Sequence, residues 1–189
     1  MQIIKLFWAI RSLLLKPFFG RYGLKSYMGK PTVLTGIRNF YFGNKVRIYP
    51  GARIESINGG IIEIGENVSI GQNFHCTSGK GERLVIGKNT TILGNVCITN
   101  IDHEYRNIDV FILNQPKITK QTYIGDNSFI CFGAMIQAGT VLGKQCVVGA
   151  NSVVRGHYPD YCVLAGVPAK IIKKYNLNTG KWEKYNENK

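Results

Sequence analysis

A chain of 189 residues, 44% of them hydrophobic, can bury the core of one domain, which excludes wholesale disorder. Its formal net charge of +13 is lopsided, because ten cations from Lys5 to Arg53 and no acid precede Glu55. Such a basic end suits an anionic surface such as lipid headgroups or a phosphorylated carrier, and no nucleic-acid partner is expected, since no helix-turn-helix, zinc-finger or aromatic RNA-binding motif accompanies the charge.

Residues 1–38 read as an N-terminal helix and linker. Over Met1 to Lys16, a helical wheel gathers Gln2, Lys5, Ser12 and Lys16 on one side. The other side carries Ile3, Ile4, Leu6, Phe7, Trp8, Ile10 and Leu13 to Leu15, interrupted only by Arg11. At roughly 22 Å this helix is shorter than the roughly 30 Å hydrocarbon core of a bilayer, so it is not expected to span one. No small-x-small cleavage site follows it, as a secretory signal would require. Two roles remain open, an interfacial anchor on anionic lipid and a cap over the end of a repeat fold. Residues 18–31 show no periodicity and read as a linker; Val33 to Ile37 reads as an irregular strand.

From about Asn39 to Pro159 an aliphatic residue returns at every sixth position. The longest run is Ile124, Ile130, Ile136, Leu142, Val148 and Val154, separated by small or turn-forming residues such as Gly125-Asp126-Asn127 and Gly149-Ala150-Asn151. Neither a helix nor a single strand has this period. A chain that turns after each short strand does, with one inward aliphatic per strand and Gly, Asn or Asp in the turns. Three such sides make a coil of about eighteen residues, the hexapeptide form of the β-helix. Ile124 should stack on Leu142, Ile130 on Val148 and Ile136 on Val154. The phrase recurs at Phe42-Gly43-Asn44, Ile64-Gly65-Glu66-Asn67 and Ile86-Gly87-Lys88-Asn89, with phase slips near residues 58–60, 78–81 and 102–120 that mark surface loops.

Residues 160–189 break the register at Gly166 and Pro168 and end in a hairpin around Asn178-Thr179-Gly180, with Asn186 to Lys189 expected to be mobile. The five cysteines, an odd number without CxxC spacing, fit a reducing cytoplasm and packing roles. No metal is expected.

The sixfold coils, followed by Asp102-His103-Glu104 and then by Ala165-Gly166-Val167-Pro168-Ala169-Lys170, resemble the hexapeptide-repeat acetyltransferases, the sugar and polysaccharide O-acetyltransferases of the galactoside, maltose and colanic-acid type. The resemblance covers about residues 39–174. It implies an all-β, left-handed parallel β-helix, against the usual right-handed rule, assembled as a homotrimer with acetyl-CoA in the groove between subunits. It also makes His103 the general base: a sugar hydroxyl is a poor nucleophile at neutral pH, and an imidazole of pKa near 6.5 can remove its proton. Glu104 and Asp102 are the local candidates for orienting the ring, Glu104 preferred. In the region where the family binds CoA, Arg155, Lys170, Lys173 and Lys174 are the cations for its phosphates, with Arg155 and Lys170 the best match by position, and Gly133, Ala134, Gly149 and Ala150 are the small surface beside the pantetheine arm. His75 and His157 match nothing in the family and read as structural.

The leading function is therefore acetyl-CoA-dependent O-acetylation of a sugar or cell-surface polysaccharide precursor, in the cytoplasm and peripherally at the inner membrane face. Alternatives are an amino-sugar N-acetyltransferase, which differs only in acceptor, and a non-catalytic β-helix binding subunit. The acceptor itself is not readable, because the segment from Phe74 to Gly79 is shorter than in the sugar acetyltransferases it resembles.

Overall fold

A computed structural model describes residues 2–185, so the expectations about Met1 and about Asn186 to Lys189 lie outside the described residues. Parallel strands stack into three sheets that form the walls of a left-handed β-helix of six coils. Ile124 lies opposite Leu142, Ile130 opposite Val148 and Ile136 opposite Val154. All six are completely buried, which is the stacking that the sixfold spacing requires.

The corners explain the residues between the aliphatics. Asn67, Asn89 and Asn127 occupy successive coils at one corner with φ of 58°, 58° and 60°, a region that asparagine tolerates better than most side chains. Their amides can stack, and Asn67 Nδ2 donates to Asn89 Oδ1 at 3.0 Å. Gly125 is fixed by contact rather than dihedral angle: a Cβ there would lie 2.2 Å from the carbonyl oxygen of Gly143 in the next coil.

The solenoid begins earlier than expected. Residues 18–31, read as a linker, and the irregular strand after them contribute a complete first coil. Arg21–Tyr22, Tyr27–Met28 and Val33–Thr35 pair in parallel with Phe40–Phe42, Arg47–Ile48 and Arg53–Ile57. The inward residues Tyr22, Met28 and Leu34 are themselves six apart, but an aromatic and a thioether conceal the aliphatic column. Aromatic rings gather where the core ends: Phe19 closes over Tyr22, Phe40 and Phe42 at centroid distances of 4.8, 5.9 and 5.2 Å. At the other end, Cys162–Gly166 still pairs in parallel with Val147–Val148, so the coil register outlasts residue 159. Ala169–Asn176 then reverses and forms a hairpin with Lys181–Lys184.

Helix α1 (Gln2–Leu15) lies against the first coil through a mixed face of Lys5, Trp8, Ser12 and Leu15. Ser12 is buried and its Oγ accepts the Met28 backbone N–H at 2.8 Å, satisfying a donor on the last edge of the stack, while Trp8 packs on Tyr27 and Tyr49. Ile4, Leu6, Phe7, Ile10, Leu13 and Leu14 face outward and are exposed. The helix thus caps the solenoid while leaving its apolar arc uncovered. Replacing Ser12 by Ala should leave the Met28 N–H buried and unpaired, at a cost of about 1–3 kcal/mol. Urea denaturation checks this by a lowered midpoint at unchanged m-value.

Candidate active site

The 102–120 insertion is an antiparallel ribbon rather than an irregular loop. Ile101–His103 pairs with Lys117–Thr119 in the register Ile101 to Thr119, Asp102 to Ile118 and His103 to Lys117. Asn100 anchors its base. This residue is completely buried; its Oδ1 accepts the Gly79 N–H at 2.8 Å, and its Nδ2 donates to Ser78 Oγ at 3.1 Å and to the Glu82 carbonyl at 3.0 Å. Its carbonyl also accepts the Lys120 N–H at 2.9 Å, tying both ends of the ribbon to one point. At the far end, the buried Gln115 side chain donates to the carbonyls of Asn107 and Val110, so the tip is a built structure.

His103 sits on the ribbon with its Nδ1 enclosed and without a hydrogen-bond partner among the described residues. Asp102, on the opposite face by strand alternation, does not reach that nitrogen. Its Oδ1 accepts the His103 backbone N–H at 3.0 Å and its Oδ2 accepts from Arg155 at 2.9 Å. Arg155 follows Val153–Val154 in the sixth coil, so this ion pair pins the ribbon over the C-terminal coils.

Glu104, expected to orient the imidazole, is engaged elsewhere. Both its oxygens accept from the Arg106 guanidinium, and Oε1 also accepts the Tyr105 and Arg106 N–H groups. The Arg106 bonds, helped by those two backbone donors, hold its carboxyl down to about 2. Since the folded value lies below the ordinary 4.5, the interaction is present above that pH and is lost as pH falls toward 2.

The residues expected to receive CoA lie on the fifth and sixth coils and the C-terminal strands, with one correction. Ala134 is completely buried and belongs to the core, because it turns inward at the corner before Met135–Ile136; its side chain cannot touch a ligand on the wall. Gly133, at φ 72°, packs on Asn151, whose Oδ1 would lie 2.1 Å from a Cβ. Gly149 is half-buried and Ala150 is exposed. Lys170 and Lys173 are exposed on Ala169–Asn176, and Arg155 is divided between solvent and Asp102.

His75 stands apart, on the outer face of an earlier coil. Its Nε2 lies 3.1 Å from Thr77 Oγ1 and 3.9 Å from Glu55 Oε2, and burial, aided by Arg53 against the pull of Glu55, lowers its pKa. Among the described residues no group of three or more His, Cys, Asp or Glu could hold a metal.

Two residues escaped the sequence reading. Asn100 carried a signal, since two positions after the inward Ile98 it occupies another inward position that a repeat would fill with an apolar or small residue. Lys117, opposite His103, carried none, because the pairing spans the whole ribbon tip.

A sixfold left-handed solenoid with a histidine ribbon at one corner and cations at its C-terminal end defines a hexapeptide-repeat transferase. The bacterial transferase hexapeptide family, six repeats, matches residues 121–156. WbbJ of Escherichia coli K12, assigned as a lipopolysaccharide biosynthesis O-acetyl transferase, is 36% identical over 152 residues, 76% of each chain. Further curated relatives are matched over about half their length. Among solved structures, the polySia-specific acetyltransferase NeuO shares 25% identity at a TM-score of 0.64, over 79% of this chain and 68% of its own. AntD, an N-acyltransferase from Bacillus cereus solved with dTDP and coenzyme A, shares the fold at a TM-score of 0.74 and 19% identity, over 89% and 91%. The chain belongs to the hexapeptide-repeat acetyltransferase family and is an acyltransferase.

Replacing Asn100 by Ala should leave the buried Gly79 N–H unpaired, at about 1–3 kcal/mol, and loosen the ribbon selectively. Hydrogen exchange should accelerate at Gly79, Ile101 and Lys120 and stay unchanged at Ile130 and Val148.

Proposed function

We propose that the protein is an acetyl-CoA-dependent O-acetyltransferase acting on a hydroxyl of a sugar or cell-surface polysaccharide precursor. The observation that carries this reading is the 36% identity to WbbJ, assigned as an O-acetyl transferase of lipopolysaccharide biosynthesis, across three quarters of both chains, with His103 held on a braced ribbon. The residues suit the cosubstrate: Gly133, Gly149 and Ala150 put no side chain longer than a methyl on the outer wall, and Arg155, Lys170 and Lys173 provide cations for phosphates. Acetyl-CoA supplies the activated acetyl group as a thioester. His103 accepts the proton of the acceptor hydroxyl as its oxygen bonds to the acetyl carbon, and returns a proton to the departing thiol sulfur. Asp102 acts as a positioning residue, holding the strand that carries His103 to Arg155.

We place the active enzyme in a homotrimer. Tyr105, Ile108, Phe111 and Leu113 at the ribbon tip, and Phe129, Phe132 and Met135 on the fifth coil, are exposed apolar side chains suited to cover by identical subunits. The outward arc of α1, with no acid before Glu55, suits peripheral binding to an anionic membrane. Among the described residues no helix is long and apolar enough to cross a membrane.

His103→Ala should lower kcat about a hundred- to ten-thousand-fold with little change in CoA affinity, because the base touches acceptor and thioester rather than phosphates. Steady-state kinetics beside a CoA titration separates the two, and retained turnover would move the base elsewhere. Replacing Phe7, Leu13 and Leu14 together by Ser should weaken cosedimentation with phosphatidylserine vesicles at least roughly tenfold, as lost apolar burial demands, while sparing turnover of a soluble acceptor.

A further inference from the structure

A cleft of about 310 Å³ opens at the base of the ribbon, between the turn carrying Asn58 and the turn carrying Lys80. Its ribbon side is lined by Ile101, Lys117 and Thr119. Directly opposed residues of an antiparallel pair share a face, and so do residues two apart on one strand. In the observed register, Ile101, His103, Lys117 and Thr119 therefore all project from one face of the ribbon. The cleft and His103 are on the same side, separated by two strand positions or roughly 7 Å, about the reach of one sugar ring.

The cleft is built rather than incidental. Thr119 Oγ1 donates to the Lys80 carbonyl at 2.8 Å, joining the ribbon to the facing turn. Its floor needs Gly79, where a Cβ would meet Thr119 Cγ2 at 2.5 Å and Ile101 Cγ1 at 3.0 Å. Asn100 holds that floor through the Gly79 N–H. Two lysines line the cleft and no carboxylate does, an arrangement that repels cations and gives a neutral sugar no use for the charge.

We propose that this cleft seats an anionic group of the acceptor, a carboxylate or phosphate borne next to the acetylated residue, with Lys80 and Lys117 as counter-charges and Asn58 as a hydrogen-bonding neighbour. The proposal rests on the acetyltransferase reading and narrows its substrate class to charged glycans or glycosyl phosphates. Lysine, a mobile point charge, reads charge rather than planar shape, so both anion types fit, and specificity arises from distance to His103.

The test uses the full chain saturated with CoA and three matched probes, methyl glucuronide, glucose 1-phosphate and methyl glucoside, titrated by ligand-observed NMR. The two charged probes should bind about tenfold better than the neutral one, since each exposed ion pair is worth up to about fivefold. Whichever charged probe binds better identifies carboxylate or phosphate as the group read. In the Lys80→Gln/Lys117→Gln double variant the charged probes should fall to the level of the glucoside, while the glucoside itself is unchanged. Three probes that bind alike, absence of binding by both charged probes, or undiminished charged binding in the double variant would overturn the proposal. A CoA titration and a melting curve on the same samples keep the outcomes apart. Failure of the wild type to bind CoA sinks the transferase reading, whereas intact CoA binding and melting with unselective probes sinks this one alone.

Discussion

No coil of this solenoid has a core of its own. Each contributes inward side chains to every wall, aliphatic in most coils, and those side chains are covered by the coils above and below. Ile136, for example, is sealed by Ile98 on one side and Val154 on the other. Stability is therefore a sum over neighbouring contacts, and the two ends are where it is weakest. The aromatic cluster of Phe19, Tyr22, Phe40 and Phe42 and the buried Ser12 contact answer this at the N-terminal end. The antiparallel strands after Cys162 answer it at the other.

The same constraint decides where chemistry can sit. Within the stack, corner positions such as Gly125 cannot accept even a methyl group, and the inward positions are filled. Variation is tolerated where the chain leaves a corner, and the only long departure among the described residues is the ribbon after Thr99. Asn100 fixes its base, Gln115 its tip and the Asp102–Arg155 pair its lean toward the last coils. A histidine on such a ribbon is carried by a rigid wall and can be held within reach of a second ligand lying along that wall. This suits acyl transfer, where proximity and orientation supply much of the rate.

The sixfold spacing of Ile124 to Val154 made coil stacking legible because one inward residue per strand leaves a period that no other element shares. The first coil was hidden because Tyr22 and Met28 hold positions that the aliphatic rule leaves to Ile or Val. The proposal of His103 rests on family resemblance, and its surroundings were not legible. Glu104 is adjacent in sequence yet turns to Arg106, and Ala134, small like its neighbours Gly133 and Gly149, turns into the core. Sequence adjacency says little about which way a corner residue faces, and pairing across a ribbon such as His103 with Lys117 is set by the fold of its tip.

In the proposed reaction the ribbon and the C-terminal coils together move an acetyl group from CoA to a glycan hydroxyl. The most direct measurement is mass spectrometry of cell-envelope glycan intermediates incubated with the protein and isotopically labelled acetyl-CoA, followed by mild base. Labelled acetyl should appear on one acceptor class, only with active protein, and be removed by base, as an ester must be. A base-stable label on an amino sugar, or no labelled glycan from protein that binds CoA, would contradict it.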